Sequence, residues 1–165
     1  MNEVIERWVR ISKSGIFDNL EIEASKIMES DLEKIDKLND LCKLLQNNIS
    51  HYNWVGFYLV DKQMPHELVL ISHYGELTEH VRIPFGRGIC GQAAMLKKLL
   101  VVQDVKKESN YLSCSKKVKS EIVVPVFRKK EMIGELDIDS HIMSPFTLDD
   151  NIFLQKIAKM ASKIL

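Results

Sequence analysis

Neither sign of charge predominates in this chain. Its 165 residues hold 23 Lys and Arg against 23 Asp and Glu, which removes the usual electrostatic argument for nucleic acid or an anionic membrane surface as a partner. Long apolar runs are missing too: none approaches the roughly 20 residues that span a bilayer. The opening stretch, MNEVIERWVRISKSG, places acidic residues where an export signal needs an unbroken apolar segment, so a cytoplasmic location is expected. Cysteine is scarce and odd in number, with Cys42, Cys90 and Cys114 only. That argues against a disulfide framework and favours free, redox-capable thiols. Repeats, low-complexity tracts and linkers rich in Pro and Gly are absent, the chain having 4 Pro and 7 Gly in all. What remains, 45% hydrophobic and 28% charged, is the composition of a globular protein. At this length a single domain over 1–165 is expected, with a helical N-terminal region over about 1–50.

Periodicity gives the elements. From Ile22 to Ile49, apolar residues recur at helical spacing through Leu32, Ile35, Leu38, Leu41 and Leu45. This predicts one long amphipathic helix that covers a sheet or pairs with its copy in a dimer. Cys42 falls among these residues and reads as a small core side chain. NWVGFYLV and ELVLISHY, separated by the polar DKQMP, read as two strands, and HVRIPF as a further short one. GRGICGQAAMLKK has glycines first and helix formers after, a turn opening a short helix. LLVVQDV is a strand, KKESNYLSCSKKVK an irregular lysine-rich loop, and EIVVPVF and EMIGELDID a hairpin across RKK. Thr147 and Asp150 in FTLDD make a capping box for a last helix, whose Leu148, Ile152, Ile157, Met160, Ala161 and Ile164 share one face. The order predicts an α+β fold, an antiparallel sheet backed by helices.

Chemistry-bearing residues fall in three places. In IGELDIDS, strand alternation sets Glu135, Asp137 and Asp139 on one face and Gly134, Leu136 and Ile138 on the other. Like charges along one strand repel, so that face is either solvated or compensated by a cation or polar ligand. Glu121 opens the neighbouring strand and, with the hairpin paired, joins the group. Carboxyls crowded around a shared ligand have raised pKa values, leaving one able to donate a proton. Cys114 lies beside Lys116, Lys117 and Lys119. Nearby cations lower a thiol pKa from about 8.5, although salt screens exposed lysines well; Cys114 is either such a thiolate or a bystander. Cys90 opens the short helix in GICGQAA, where the helix dipole favours a thiolate; equally, it fills a small space that flanking glycines leave. GRGICG matches neither the dinucleotide fingerprint nor the phosphate loop. Trp54 and Tyr58, with Gly56 between, share one strand face and either flank a small ligand or belong to the core. His80 precedes Cys90, but no Cys-x-x-Cys or His-x-x-x-His pair is present, so no metal site is expected.

Taken in order, NWVGFYL, IPFGRGICG, VVQDV, CSKKVKSEIVVPV and IGELDIDS ahead of a terminal helix resemble the free methionine-(R)-sulfoxide reductases. These are single-domain enzymes of the GAF superfamily that reduce the free amino acid rather than methionine within proteins. The resemblance runs from about Asn53 to Leu154. It implies a GAF-like central antiparallel sheet of about six strands, with N- and C-terminal helices on one side and a loop-enclosed pocket on the other. It implies thiol-dependent reduction of free methionine-(R)-sulfoxide to methionine, with Cys114 at the family's catalytic position. Glu121, Asp137 and Asp139 fall where acidic residues hold the sulfoxide and the substrate ammonium, and Trp54 and Tyr58 where aromatics line the pocket. Glu135 stands where the family usually has an apolar residue, and no role is carried to it. By the same implication Cys114 is left as a sulfenic acid, a second thiol condenses with it, and an external dithiol such as thioredoxin reopens the disulfide. No bound cofactor is implied; a homodimer is.

The chain departs from the family at His80, which occupies the position of the first of three family cysteines, the resolving partner of the catalytic one. Either Cys90 resolves the sulfenic acid as a Cys90–Cys114 disulfide, which is the expectation, or an outside thiol reduces it directly. His80 itself is a proton carrier, a pocket wall or a surface residue. Two other classes of function stay open: a GAF module that binds a small ligand without chemistry, and a metal-binding protein using Cys90 and Cys114.

Overall fold

The computed structural model describes residues 2–112 and 115–165, so Cys114 lies outside the described residues. Branched and aromatic side chains in alternation favour extended chain, and six such segments pair into one antiparallel sheet: β1 (Trp54–Val60), β2 (Glu67–Tyr74), β3 (Arg82–Pro84), β4 (Leu100–Val102), β5 (Ser120–Arg128) and β6 (Glu131–Ser140). Their spatial order is β3-β2-β1-β6-β5-β4. Among the described residues four α-helices accompany them, α1 (Asn2–Glu29), α2 (Lys34–Asn48), α3 (Gly88–Leu96) and α4 (Leu148–Ser162).

Alternation sorts the strand residues between two faces. Val55 and Phe57 of β1, Ile122, Val124 and Val126 of β5, and Leu136 and Ile138 of β6 pack with the buried faces of α1, α2 and α4 in one apolar cluster. Each such side chain, fully buried, contributes about 1.5–3 kcal/mol relative to exposure, so this face holds the fold together. Phe17 of α1 stacks on Phe153 of α4 with ring centroids 4.4 Å apart. The other face is smaller: Trp54, Tyr58, Leu68, Val123 and Met132 meet Ile89, Cys90, Ala93 and Ala94 of α3. The expected α+β arrangement is therefore present, with three helices on one side and a short helix and loops on the other. No described helix is long and apolar enough to cross a membrane.

Two expectations need correction. The single long helix over Ile22–Ile49 is two helices, broken at 30–33, where Ser30 Oγ donates to the Ile27 carbonyl at 2.7 Å and Lys37 Nζ to the Met28 carbonyl at 2.9 Å. The break lets α1 pack on α4 while α2 lies on β1 and β2, two surfaces that one straight rod does not cover. Leu32 and Ile35, flanking the break, are exposed, whereas Leu38, Leu41, Cys42 and Leu45 are buried as expected. On α4 the capping box forms, but Leu148 and Ile152 are exposed and Phe153, Leu154 and Ala158 join Ile157 and Ala161 in the core.

Candidate active site

On the α3 side of the sheet, register decides which side chains meet. β6 runs between β1 and β5. Asp139 stands opposite Trp54 on one side and Glu121 on the other, Asp137 opposite Gly56 and Val123, and Glu135 opposite Tyr58 and Pro125. Directly opposed residues have Cβ atoms about 4.5–5.5 Å apart, so the acids and aromatics form one contiguous surface. Gly56 makes room for the indole: a Cβ there would come within 2.2 Å of the Trp54 ring. The indole lies over Gly56 beside Tyr58, ring centroids 6.4 Å apart. Trp54 Nε1 donates to the Glu76 carbonyl at 3.0 Å and the Tyr58 hydroxyl to the His80 carbonyl at 2.8 Å, which fixes both rings. Both belong to the smaller core cluster, and Trp54 also shares the wall of a recess with Asp139.

A solvated acidic face is not what the strand presents. Glu121, Glu135, Asp137 and Asp139 are 4%, 0%, 1% and 1% exposed. Both oxygens of Glu135, both of Asp139 and one of Asp137 are buried without a hydrogen-bond partner among the described residues. An ionised carboxylate in that situation costs several kcal/mol, and the group keeps its proton instead. Burial is the leading cause for all four. It raises Asp137 to about 7, with the Cys90 thiol and Glu121 opposing it by hydrogen bonding. Glu121 is raised further by Asp137, Asp139 and Glu135, and Asp139 by Asp137. Glu135 is raised by burial and, less, by Asp137, with the Cys90 thiol opposing. Near neutral pH this surface is therefore a store of protons rather than a field of negative charge.

Cys90, in the first turn of α3, donates its thiol to Glu121 Oε1 at 3.7 Å. Burial first, then Asp137, Glu135 and Glu121, push its pKa well above the ordinary thiol value. The dipole-stabilised thiolate is therefore overturned, because desolvation and facing carboxyls outweigh a helix end worth about half a charge. The alternative reading fits: at Gly91, its neighbour, a Cβ would sit 2.4 Å from the Pro84 carbonyl oxygen, so backbone packs on backbone there. Cys42 is on the far side of the sheet, 3.6 Å from Ser72 Oγ and pushed up to about 12 by burial. Cys114 lies outside the described residues, but the chain on each side of it is described. Leu112 borders a recess with Ile83, Arg87, Cys90, Glu121 and Asp137. Ser115 borders another with Asn53, Trp54, Glu76, Asp139 and His141. Of the lysines expected to act on Cys114, Lys117 is ion-paired with Glu76, and Lys116 and Lys119 are exposed. His80 is half-buried and meets Tyr58 through its carbonyl.

Sequence reasoning missed Glu76, Arg87 and His141, which sit outside the regular strand and helix interiors, where no periodicity marks a face. Glu135 is a different omission. Alternation had put it on the acidic face, and the structure buries it there beside Cys90.

The GAF domain family matches residues 36–165. The chain is 31% identical over 155 residues to the free methionine-R-sulfoxide reductase of Escherichia coli strain K12, a span covering 94% of this chain and 92% of that relative. The chain belongs to the free methionine-R-sulfoxide reductase family of GAF domains. Among solved structures, the free methionine-R-sulfoxide reductase of Neisseria meningitidis in complex with its substrate is similar at a TM-score of 0.83 and 35% identity, covering 90% of this chain and 87% of that one. A Staphylococcus aureus protein named fRMsr, in complex with substrate, has a TM-score of 0.80 at 36% identity, with 90% and 95% covered. The GAF fold expected from the sequence is thus shown. Within this reductase family, the chain presents a sheet face on which four buried acids adjoin an indole, a phenol and a thiol.

Proposed function

We propose that the protein reduces free methionine-(R)-sulfoxide to methionine, with thiols supplying the electrons. The observation that carries this is the group of buried, proton-holding carboxyls beside Trp54, with recesses reaching it from the residues that flank Cys114. A sulfoxide oxygen leaves sulfur only when protonated or strongly hydrogen-bonded, and an acid poised near the operating pH is suited to supply that proton. Asp137, at about 7, is such an acid. In this reading the Cys114 thiolate attacks the sulfoxide sulfur while Glu121, Asp137 and Asp139 hold the oxygen and the substrate ammonium, and Trp54 and Tyr58 wall the apolar part. The oxygen and one proton end on Cys114 as a sulfenic acid, methionine departs, and the two electrons gained by methionine sulfur are those lost by Cys114. Cys90 then condenses with the sulfenic acid and water leaves. The Cys90 proton, relayed through the carboxyl of Glu121, its partner at 3.7 Å, leaves with the hydroxyl of the sulfenic acid as that water. A dithiol such as thioredoxin returns the Cys90–Cys114 disulfide to two thiols by exchange. No bound cofactor enters this cycle. The reading takes 1–165 as one cytoplasmic domain that forms a homodimer, which light scattering measures.

The deciding experiment offers each sulfoxide epimer separately to wild type and to Cys114→Ser, with dithiothreitol as reductant. Consumption of the R epimer by wild type alone is expected. Full turnover by Cys114→Ser, or none by wild type, returns the chain to a ligand-binding GAF module. Peptide mapping after one turnover without reductant checks the resolving step; sulfenic acid on Cys114 with Cys90 still free rejects Cys90 as the resolver.

A further inference from the structure

We propose that the reduced protein binds one thiophilic divalent cation, of the zinc class, through Cys90, Glu121, Asp137 and Glu135. The spacing in the sequence shows no metal motif because these donors arrive from three separated segments: α3, β5 and β6. Folded, the Cys90 sulfur and one carboxylate oxygen each of Glu121 and Asp137 all lie within 4.8 Å of one another. A tetrahedral zinc ion with bonds of about 2.3 Å to sulfur and about 2.0–2.2 Å to oxygen sets neighbouring donors about 3.5 Å apart. Cys90 Sγ and Glu121 Oε1 stand 3.7 Å apart, so that pair is already close to the required edge.

An independent observation points to the same place. Glu135 is the next residue along β6 on the same face as Asp137, is 0% exposed, and has neither oxygen hydrogen-bonded among the described residues. Its carboxyl interacts with the Cys90 thiol. A buried carboxyl with nothing nearer to a donor than one thiol is rare in a folded protein, because little offsets its desolvation. A dication among these groups takes the place of the protons they otherwise hold, supplying a partner for Glu135 and releasing those protons on binding. The sulfur donor selects the ion. Magnesium and calcium take oxygen shells, whereas a thiolate with carboxylates suits zinc and its neighbours in the first transition row. The recess lined by Arg87, Leu112, Glu121 and Asp137 borders Cys90.

Cobalt(II), a spectroscopic stand-in for zinc, tests the site on the full-length, fully reduced protein. One equivalent is expected to give the visible absorption of a tetrahedral ion together with a thiolate-to-cobalt charge-transfer band, both erased by one equivalent of zinc. Cys114→Ser is expected to keep the band and Cys90→Ser to lose it. Glu135→Gln is expected to weaken zinc by at least the roughly tenfold that loss of a mere outer-shell partner costs. X-ray absorption of the zinc-loaded wild type, which needs no variant to fold, is expected to report one sulfur in a shell otherwise of light atoms. The proposal is overturned by an absent cobalt spectrum, by a band that survives Cys90→Ser or vanishes in Cys114→Ser, or by a shell without sulfur. None of these measurements involves turnover, so they judge the site apart from the reductase reading, in which Glu121, Asp137 and Cys90 serve the sulfoxide and the disulfide and a bound metal would compete with both.

Discussion

Asp150 and Asp139 are the same residue type, buried to the same degree, on opposite sides of one sheet. Asp150 accepts from the Thr147 backbone N–H at 2.8 Å, Thr147 Oγ1 at 2.7 Å, Lys13 Nζ at 2.8 Å and the Tyr52 hydroxyl at 3.0 Å, and meets His51 Nε2 at 2.7 Å. Burial alone would raise its pKa, yet the hydrogen bonds from His51, Lys13 and Thr147 outweigh it and hold the carboxyl well below the usual range. Asp139 has no partner for either oxygen among the described residues, and burial with Asp137 beside it moves its pKa the other way. Burial does not separate these two sites; the donors within reach do. A saturated acid ties the start of α4 to α1 and to the residues after α2. An unsaturated one keeps acceptor capacity that a bound molecule can fill, at a cost in stability that the apolar face must offset.

The largest effect expected from breaking that contrast is on stability. Removing one member of a buried, hydrogen-bonded ion pair costs about 3–5 kcal/mol because the partner charges stay behind. Asp150→Ala should lose about that much in urea unfolding, with turnover per folded molecule unchanged. An unaltered midpoint would mean that Lys13 and His51 find water instead, and that Asp150 is not the anchor described. The reverse pattern is expected on the other face. Asp139→Asn keeps the shape, removes an acid, and should slow sulfoxide reduction about 100-fold, a barrier change of about 2.7 kcal/mol, with stability equal to or above wild type. Loss of stability without loss of rate would make Asp139 a structural residue like Asp150.

Most of this contrast was legible from residue order. Period-two alternation in IGELDIDS separated Leu136 and Ile138 from Glu135, Asp137 and Asp139, and the hairpin brought Glu121 to Asp139, where the register pairs them. The capping box at Thr147 and Asp150 was equally visible, because it is local. Burial was not legible. Whether an acidic strand face meets water depends on α3 and the loop around it, a tertiary fact with no periodic signature, and the same holds for the neutral Cys90 thiol. The donors to Asp150 were hidden for a related reason, since Lys13, His51 and Tyr52 lie about 100 residues or more away in sequence. The break at Ser30 was missed because apolar spacing runs through it, although Leu32 and Ile35 on that spacing are exposed.

The two kinds of acid should also oppose each other with pH. Asp150, with its pKa lowered on folding, binds fewer protons folded than unfolded, so its contribution is present above about pH 4 and is lost as pH falls further. Asp137, raised to about 7, binds more protons folded, so its penalty is absent below about pH 4 and grows as pH rises to about 7. Each proton gives a slope of at most about 1.4 kcal/mol per pH unit. Urea unfolding across pH 4 to 8 should therefore show wild-type stability declining from about pH 5 to 7, and Asp137→Asn should flatten the decline. A wild-type curve that rises through that interval would show that the cluster ionises freely.

Gly56→Ala probes the smallest and most local part of the comparison, the wall rather than the acids. The new methyl carbon would lie 2.2 Å and 2.5 Å from two ring atoms of Trp54, so the indole must swing away while Asp137, across the strand pair, keeps its place. Such overpacking costs about 1–3 kcal/mol. The kinetic signature distinguishes wall from acid. A displaced indole weakens substrate and transition state alike, so KM should rise several-fold with kcat nearly constant, whereas Asp139→Asn lowers kcat. If Gly56→Ala instead reproduces the kcat loss of Asp139→Asn, the indole is positioning the reacting sulfur against the acids, and the wall and the acids act as one unit.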